Sequence, residues 1–237
     1  MSDGKRQGWA AALVAGAVGA VIGAGLTVAV APGLVGELLV RETLVKHPEI
    51  LVQSSDALRD RQYAPTLAAT RAQFETPFHS SWKGASKPDV VLTYFYDYAC
   101  GYCRKSNPDL ERLLSEDKGL RIVYRELPIL GPESIAASRV ALAASKAGRF
   151  AAFHDALFVA GRPTAQAVAQ AAASVGIAPQ PVDAPDQEAE LKANFATASQ
   201  LGATGTPLFI VGDRVMNAAV GYDALKEAIA AARQRKG

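Results

Sequence analysis

The stretch DVVLTYFYDYACGYCRKSNPDLERLLSED, residues 89–117, decides the fold of this chain. Residues 89–99 are a near-continuous run of β-branched and aromatic side chains, which is typical of a strand buried on both faces. Residues 107–117 have the composition of a helix. Cys100 and Cys103 therefore fall where a strand passes into a helix, and they are the only two cysteines of the 237 residues.

This cysteine pair could bind a metal, staple a loop or carry out redox chemistry. A closed zinc site needs four ligands, and the chain offers only scattered histidines at positions 47, 79 and 154. A copper(I) site on two thiolates stays open, because soft thiolates bind Cu(I). A structural disulfide here would close a very short loop, for which the entropic gain is small. The pattern favours redox chemistry, for which neither a metal nor a cofactor is expected.

The position of the pair supports the redox interpretation. Cys100 would lie at a helix N-terminus, where the helix dipole and free N–H groups favour the thiolate, the attacking species in disulfide exchange. Arg104 and Lys105 would add positive potential nearby. Cys103, one turn into the helix, would be more buried and would resolve the mixed disulfide.

The rest of the chain adds the elements of an α/β fold. A second strand, LRIVYREL, precedes a long Ala-rich helical region at about 133–200. The segment TPLFIVGDRVMNAAV predicts a hairpin with its turn at Gly212–Asp213, and a final helix follows. The order is strand, helix, strand, helices, strand, strand, helix.

These residues resemble the thioredoxin superfamily, and more closely its DsbA-like branch of exported bacterial thiol oxidoreductases. The resemblance covers roughly 86–237 and rests on four features: FYDYACGYC at 95–103, Pro108, GATGTP at 202–207 and FHDALF at 153–158. It implies a thioredoxin fold over 89–237, with a helical insertion at about 133–200.

The resemblance also implies a cis peptide bond between Thr206 and Pro207. Such a loop would leave the backbone of Gly205 and Thr206 free to pair with an extended client peptide. Asp97, three residues before Cys100, could relay a proton to or from Cys103, or it could equally cap the following helix. His154 is expected to be a packed histidine without a catalytic function.

The N-terminus carries the strongest targeting signal. Lys5 and Arg6 precede an uncharged stretch, Gly8–Gly36, and about 20 apolar residues span a bilayer core of about 30 Å. This pattern predicts a cytoplasmic segment at 1–8 and a transmembrane anchor at 9–35, with a cleaved signal sequence as the alternative. The positive-inside tendency would place the rest of the chain in the periplasm.

Between the anchor and the first strand, residues 36–77 predict a helical arm of two or three short helices, broken near His47 and near Ala64. Its apolar residues could pack on the chain's own domain or assemble a homo-oligomer through 36–75. The segment RETLVKHPEILVQSSDALRDRQ resembles an arm that some family members use to dimerise or trimerise. Residues 78–88 look like a linker.

Charge excludes one class of partner. From Ser86 onward, the chain has 17 Lys and Arg and 16 Asp and Glu, so the basic excess typical of nucleic-acid binding is missing.

The cysteine pair, the resemblance and the N-terminal stretch together predict a membrane-anchored thiol–disulfide oxidoreductase. We expect it to act on cysteines of exported proteins and to exchange electrons with a membrane or periplasmic redox partner.

The direction of exchange rests on a finer resemblance. Gly101 and Tyr102 bring no charge between the cysteines, and Tyr102 is expected to shape access to them. This pair, with Thr206 before the proline, is similar to the active sites of bacterial disulfide isomerases. Isomerase or reductase activity is therefore expected. A plain oxidase and a copper(I)-handling protein that uses the same sulfurs remain as alternatives.

Overall fold

The computed structural model describes residues 32–179 and 184–235. The chain divides into two units, one ending at Leu58 and one beginning at Arg59. The predicted segment 1–8 and nearly all of the predicted anchor 9–35 lie outside the described residues. Within the described ranges, no helix is both long enough and apolar enough to cross a bilayer.

The described residues form eight helices and five strands. The helices are α1 (Pro32–Lys46), α2 (Glu49–Glu75), α3 (Gly101–Glu116), α4 (Pro132–Lys146), α5 (Phe150–Ala160), α6 (Ala165–Ser174), α7 (Pro185–Gln200) and α8 (Tyr222–Gln234). The strands are β1 (Trp82–Gly84), β2 (Val90–Tyr96), β3 (Leu120–Glu126), β4 (Leu208–Val211) and β5 (Arg214–Met216). Helices α4 to α7 occupy the interval between β3 and β4 where the helical insertion was expected.

Of the two helix breaks predicted in the arm, the structure contains one and lacks the other. The break near His47 is confirmed, because α1 ends at Lys46 and α2 begins at Glu49. The break near Ala64 is wrong, since α2 continues through Pro65. A proline inside a helix costs about 3 kcal/mol, and here packing outweighs it.

Two contacts hold the later part of α2 in place. Leu67 and Phe74 are fully buried. The buried Arg125 guanidinium donates to the carbonyl oxygens of Gln73, Phe74 and Thr76. These hydrogen bonds satisfy carbonyl groups at the C-terminal end of α2. This part of α2 is therefore integral to the second unit.

The predicted linker at 78–88 is wrong at residues 82–84, which form β1. This strand pairs antiparallel with β3, with Trp82 opposite Val123 and Gly84 opposite Arg121. Three residues are too few to show the alternating pattern from which a strand is recognised. The sheet therefore begins before residue 89.

The five strands form one mixed sheet in the order β1-β3-β2-β4-β5. The central strands β2 and β3 are parallel, whereas β4 runs antiparallel to β2 and β5 antiparallel to β4. Side chains alternate between two buried clusters: Tyr94 and Tyr96 pack in the larger one, and Phe95 packs with Leu67 and Phe74 in the other. Burial on both faces explains why β2 has no polar alternation.

Candidate active site

Strand register brings the two predicted parts of the site together. Because β4 runs antiparallel to β2 with Phe95 opposite Leu208, β4 begins beside the point where β2 ends. Pro207 directly precedes β4, and Asp97 directly follows β2. The loop that carries Thr206 is thus placed against the start of α3, although it is about a hundred residues away in sequence.

Cys100 caps the N-terminus of α3. Its backbone is extended (φ −77°, ψ 117°), and its sulfur accepts a hydrogen bond from the Cys103 N–H at 3.4 Å. The Cys100 thiol also lies 3.3 Å from the Thr206 carbonyl oxygen, to which it can donate when protonated. Only 6% of the residue is exposed.

The pKa values of the two cysteine thiols are shifted in opposite directions. The pKa of the Cys100 thiol is lowered to about 5, chiefly by hydrogen bonding with the Cys103 side chain, which outweighs the opposing effect of burial. The Thr206 side chain and the N–H groups of Cys103 and Tyr102 lower this pKa further. Cys100 is therefore a thiolate at neutral pH.

Cys103 is completely buried, and burial raises the pKa of its thiol far above the usual range. Hydrogen bonding to Cys100 acts in the same direction. The Tyr94 hydroxyl donates to the Cys103 carbonyl oxygen at 3.2 Å and fixes this turn of α3 against the sheet. Neither cysteine forms a disulfide in this structure, and the pKa values of the two sulfurs are shifted in opposite directions.

The peptide bond between Thr206 and Pro207 is cis. The Thr206 hydroxyl is buried and has no partner of good hydrogen-bond geometry within the described part of the chain. It nevertheless helps to lower the pKa of both sulfurs. Gly205 and Thr206 are half-buried.

Asp97 is buried, and each of its carboxylate oxygens accepts two hydrogen bonds. Oδ1 accepts from the Ala99 N–H and the Ser134 hydroxyl, both at 2.7 Å. Oδ2 accepts from the N–H groups of Ile129 and Leu130 at 2.8 and 2.9 Å. A carboxylate has about four acceptor sites, so these bonds saturate Asp97. It does not cap α3, because Cys100 holds that position.

Two other side chains expected near the sulfurs have different surroundings. Arg104 donates to the carbonyl oxygens of Phe158 and Gly161 at 3.3 and 2.6 Å, so its guanidinium caps the end of α5. Arg104 thus links the first turn of α3 to the end of α5. Tyr102 is 67% exposed and lies at the rim of the site.

Sequence reasoning missed a buried acid next to the site. Glu126, at the end of β3, accepts from the Ser138 hydroxyl at 2.6 Å and from the Tyr96 hydroxyl. Burial raises the pKa of Glu126 to about 8, against the effect of these two donors, and the charge of Asp97 raises it further. The available signal was an acidic residue at the end of an otherwise apolar strand.

His154 is buried, as expected for a packed histidine, and aromatic rings surround it. Its Nδ1 lies 2.9 Å from the Asp155 carboxylate, and burial lowers its pKa. The surrounding rings belong to Tyr96, Tyr98, Tyr124, Phe150 and Phe158. In the described ranges, no group of three or more His, Cys, Asp or Glu side chains converges on a point where a metal would bind.

The sheet order, the Cys-x-x-Cys pair at a helix N-terminus and the adjacent proline loop define a thioredoxin-fold thiol–disulfide oxidoreductase. A family model described as a DSBA-like thioredoxin domain matches residues 91–230. The chain belongs to this family. A second model, described as the copper resistance protein ScsC N-terminal domain, matches residues 37–64.

Solved structures give the same assignment. A thioredoxin-like oxidoreductase from Silicibacter pomeroyi is 34% identical and has a TM-score of 0.65, over 70% of this chain and 98% of that one. Proteus mirabilis ScsC, in a transitional conformation, is 28% identical with a TM-score of 0.66, over 87% of this chain and 99% of that one.

A curated relative matches over a short region only. The Na(+)/H(+) antiporter NhaA 1 of Salinispora arenicola is 31% identical over 77 residues, which are 32% of this chain. The match spans only 12% of the antiporter's length. This short match therefore gives no reason to expect ion transport by this chain.

Proposed function

We propose that this protein exchanges disulfides with exported proteins, with Cys100 as the attacking sulfur and Cys103 as the resolving sulfur. The opposite pKa directions of the two cysteines carry the proposal. Only Cys100 is a thiolate at neutral pH, and the thiolate is the nucleophile in disulfide exchange. Gly205 and Thr206 would pair with the client's extended backbone beside it.

The reaction proceeds in two steps. The Cys100 thiolate attacks one sulfur of a client disulfide, a mixed disulfide forms, and the client's other sulfur leaves as a thiolate. Cys103 then loses its proton and attacks Cys100, which releases the client as a second thiolate and leaves a disulfide between Cys100 and Cys103. In isomerisation a client thiolate performs the second attack instead, and Cys100 is released reduced.

In this scheme Asp97 has a structural role in positioning the loop before Cys100. Its saturated carboxylate supports a role in fixing residues 129–130 against the loop that precedes Cys100, and it leaves little room for the proton relay considered from the sequence.

We propose isomerase or reductase activity as the direction of exchange. The uncharged Gly101–Tyr102 pair and Thr206 before the cis proline support this direction, because they are similar to the active sites of bacterial disulfide isomerases, and only reduced Cys100 can attack a wrongly formed client disulfide. The depressed pKa of Cys100 stabilises the reduced form. A stabilised reduced form makes a couple a stronger oxidant, so this pKa by itself favours the oxidase alternative. A membrane or periplasmic redox partner would keep the pair reduced. A plain oxidase would use the same two sulfurs, so the reduction potential of the pair against glutathione distinguishes them.

The arm at 36–75 supports assembly into a homo-oligomer. Several large apolar side chains of its first part are exposed, among them Val45 at 74% and Leu58 at 67%. The ScsC N-terminal family model matches residues 37–64 of this arm. An oligomer would present several active sites to one misfolded client.

The periplasm is the proposed compartment. The apolar stretch at the N-terminus would export the chain and anchor it to the inner membrane with its first residues in the cytoplasm. A similar solved structure is a periplasmic thioredoxin-like protein from Salmonella enterica, 27% identical with a TM-score of 0.65. A reporter fused after Gly237 tests this topology, because activity of a cytoplasm-only reporter would contradict it.

The proposed function is tested by trapping clients. With Cys103→Ala, the mixed disulfide on Cys100 cannot be resolved within the chain and should accumulate with exported proteins. Cys100→Ser is the matched control and should trap none. Complexes that form with Cys100→Ser but not with Cys103→Ala would reverse the assigned roles.

Copper(I) binding at the same two sulfurs is the second candidate function, because the model matching the arm is named for copper resistance. The raised pKa of Cys103 weighs against it, since a dithiolate site needs both sulfurs deprotonated. Stoichiometric Cu(I) binding that is lost in Cys100→Ser, without any disulfide exchange by the wild type, would favour the copper function.

A further inference from the structure

Helix α2 contacts the loop that carries the cis proline through one side chain. Tyr63, half-buried on α2, lies directly against Gly202, two residues after the end of α7. Gly202 has a left-handed backbone (φ 64°), and a Cβ atom at this position would collide with the Tyr63 hydroxyl. Both the conformation and the close approach therefore require glycine here. The exchange scheme above does not use Tyr63.

Gly202 lies where the chain turns out of α7 and into the loop. The N–H groups of Gly202 and Ala203 donate to carbonyl oxygens in the last turn of α7, at 3.0 and 2.9 Å. This pair of hydrogen bonds is a Schellman motif, which ends a helix by turning the chain. Only residues 203–205 separate Gly202 from Thr206, whose carbonyl oxygen lies 3.3 Å from the Cys100 sulfur. A displacement of Gly202 would therefore move Thr206.

The two ends of this loop are held by different elements. At the downstream end, Leu208 pairs with Phe95 in the sheet, so strand register fixes its position. The upstream end is not part of a strand and depends on packing against α2. Leu201 lies in the smaller buried cluster together with Leu67 of α2, and Tyr63 packs against the same cluster.

Two arginines hold α2 itself against this region. The Arg125 guanidinium, which donates to carbonyl oxygens at the end of α2, also pairs with Glu190 on α7. Arg71, on α2, donates to the Gly212 carbonyl oxygen at 3.1 Å and to the Asp213 carboxylate at 2.6 Å. These contacts connect α2 to the element that precedes the loop in sequence and to the turn between β4 and β5 that follows it.

We propose that Tyr63 is a positioning residue of the active site: through Gly202 it fixes the loop that presents Thr206 to Cys100. The inference rests on the proposed function, because this loop is where the client's backbone would pair. The later part of α2 then belongs to the scaffold of the site, although it precedes the whole sheet in sequence.

The ionisation of Cys100 reports the position of Thr206. The Thr206 side chain lowers the pKa of Cys100, and its buried hydroxyl has no partner of good hydrogen-bond geometry in the ranges that the structure describes. Tyr63→Ala removes the contact that holds the loop, so Thr206 should move away from the sulfur. Cys103 and Tyr94 also interact with Cys100 electrostatically, and both are unchanged in this variant.

The test measures the rate of alkylation of Cys100 against pH in the reduced full-length protein. Tyr63→Ala should raise the midpoint from near pH 5 to about pH 6, because the thiolate loses a hydrogen-bond donor. At a pH below both midpoints, the rate should then fall about 10-fold. Tyr63→Phe keeps the ring in the cluster and should keep the wild-type midpoint. Tyr63 is only half-buried and alanine favours helices, so the fold should tolerate both changes.

Two further variants separate positioning from a loss of stability. Leu225→Ala opens a cavity at an almost fully buried position of α8, a helix that contacts the last residue of α3, at the opposite end from Cys100. It should destabilise the fold and keep the wild-type midpoint. Thr206→Val removes the hydroxyl and should raise the midpoint by itself, so adding Tyr63→Ala to it should raise the midpoint no further.

The outcomes separate this inference from the proposed function. An unchanged midpoint in folded Tyr63→Ala, an equal rise in Leu225→Ala, or additive rises in the double variant would each overturn the positioning role and leave disulfide exchange intact. Client trapping by Cys103→Ala is measured separately. If no client is trapped while the midpoints shift as expected, the proposed function alone is overturned.

Discussion

The first part of the arm, which ends at Leu58, and the domain at 59–235 differ in how far their apolar side chains are buried. In the arm, large apolar side chains are exposed: Leu39, Val40, Val45, Leu51, Val52 and Leu58. In the domain, the large side chains of the sheet are almost completely buried, including Tyr94, Phe95, Tyr96 and Phe209. The domain therefore completes its own core, whereas the arm leaves large apolar side chains exposed, as the proposed assembly requires.

This difference separates chemistry from assembly. Isolated helices of about 15 residues are marginally stable in water, and most of their stability comes from packing an apolar face. Helix α1 has 15 residues, so its stability depends on what covers it. The domain needs no such partner to place Cys100 beside Thr206. The comparison predicts that changes in the two regions affect different measurements.

The largest effect is expected at Cys100. Cys100→Ser should reduce the exchange of a model dithiol to the uncatalysed rate, because a hydroxyl cannot form the mixed disulfide. The free energy of unfolding of the reduced protein in urea provides the control for folding. Exchange above the uncatalysed rate in a folded Cys100→Ser protein would contradict the assignment.

Changes in the arm should abolish assembly and spare the chemistry. Leu51 and Leu58 are seven residues apart on α2 and so share a face, and both are exposed. The double variant Leu51→Glu, Leu58→Glu should sediment as a monomer and lose most refolding activity on a scrambled-disulfide substrate. Exchange with a small-molecule disulfide should be unchanged.

A matched double charge change on the opposite face of α2, Gln53→Glu with Ala57→Glu, controls for two added negative charges at exposed positions. It should preserve assembly. A wild type that is already monomeric, or equal refolding activity from the wild type and the double variant, would shift the interpretation to a plain oxidase.

Helix α2 allows the comparison to be made within one element. Leu67 is completely buried in the domain, whereas Leu58 is 67% exposed. Leu67→Ala should lower the free energy of unfolding of the domain by about 2–5 kcal/mol, and Leu58→Ala by less than about 0.5 kcal/mol. Urea denaturation of both variants measures this, and equal losses would show that the boundary between arm and domain is misplaced.

A smaller, pH-dependent effect is expected at Glu126. Its pKa is raised to about 8 by burial, so the folded protein binds a proton that the unfolded chain releases at its ordinary, lower pKa. The stabilising contribution of this proton is complete below the unfolded pKa and is lost as the pH rises through about 8. Stability should therefore decline between about pH 5 and pH 8 less steeply in Glu126→Gln than in the wild type. Parallel pH profiles would contradict the buried-acid interpretation.

The sequence predicted the parts of the fold that depend on local pattern and spacing. The buried strand before Cys100, the helix after it and the break at His47 all follow from adjacent residues. The edge strand β1, the continuity of α2 through Pro65 and the contacts of Arg104 depend on distant partners, such as Arg125 and the end of α5. These partners cannot be found from periodicity.

The same division applies to the site. The two cysteines and the Thr206–Pro207 loop have recognisable sequence patterns, and strand register then places them together. The hydrogen bonds of Asp97 depend on donors about thirty residues later in the chain, so the sequence left its role open. The burial of Glu126 could not be predicted from the sequence, because it depends on the packing of α4 over the end of β3, where Ser138 donates to the carboxylate.

The most direct test of the account is the ionisation of the two sulfurs. In the reduced full-length protein, the rate of alkylation is measured against pH, and mass spectrometry assigns the modified cysteine. We expect Cys100 alone to react, with a midpoint near pH 5, and Cys103 to stay protected as long as the protein is folded. Equal reactivity of the two cysteines with a common midpoint near the ordinary thiol value of about 8.5 would contradict the account.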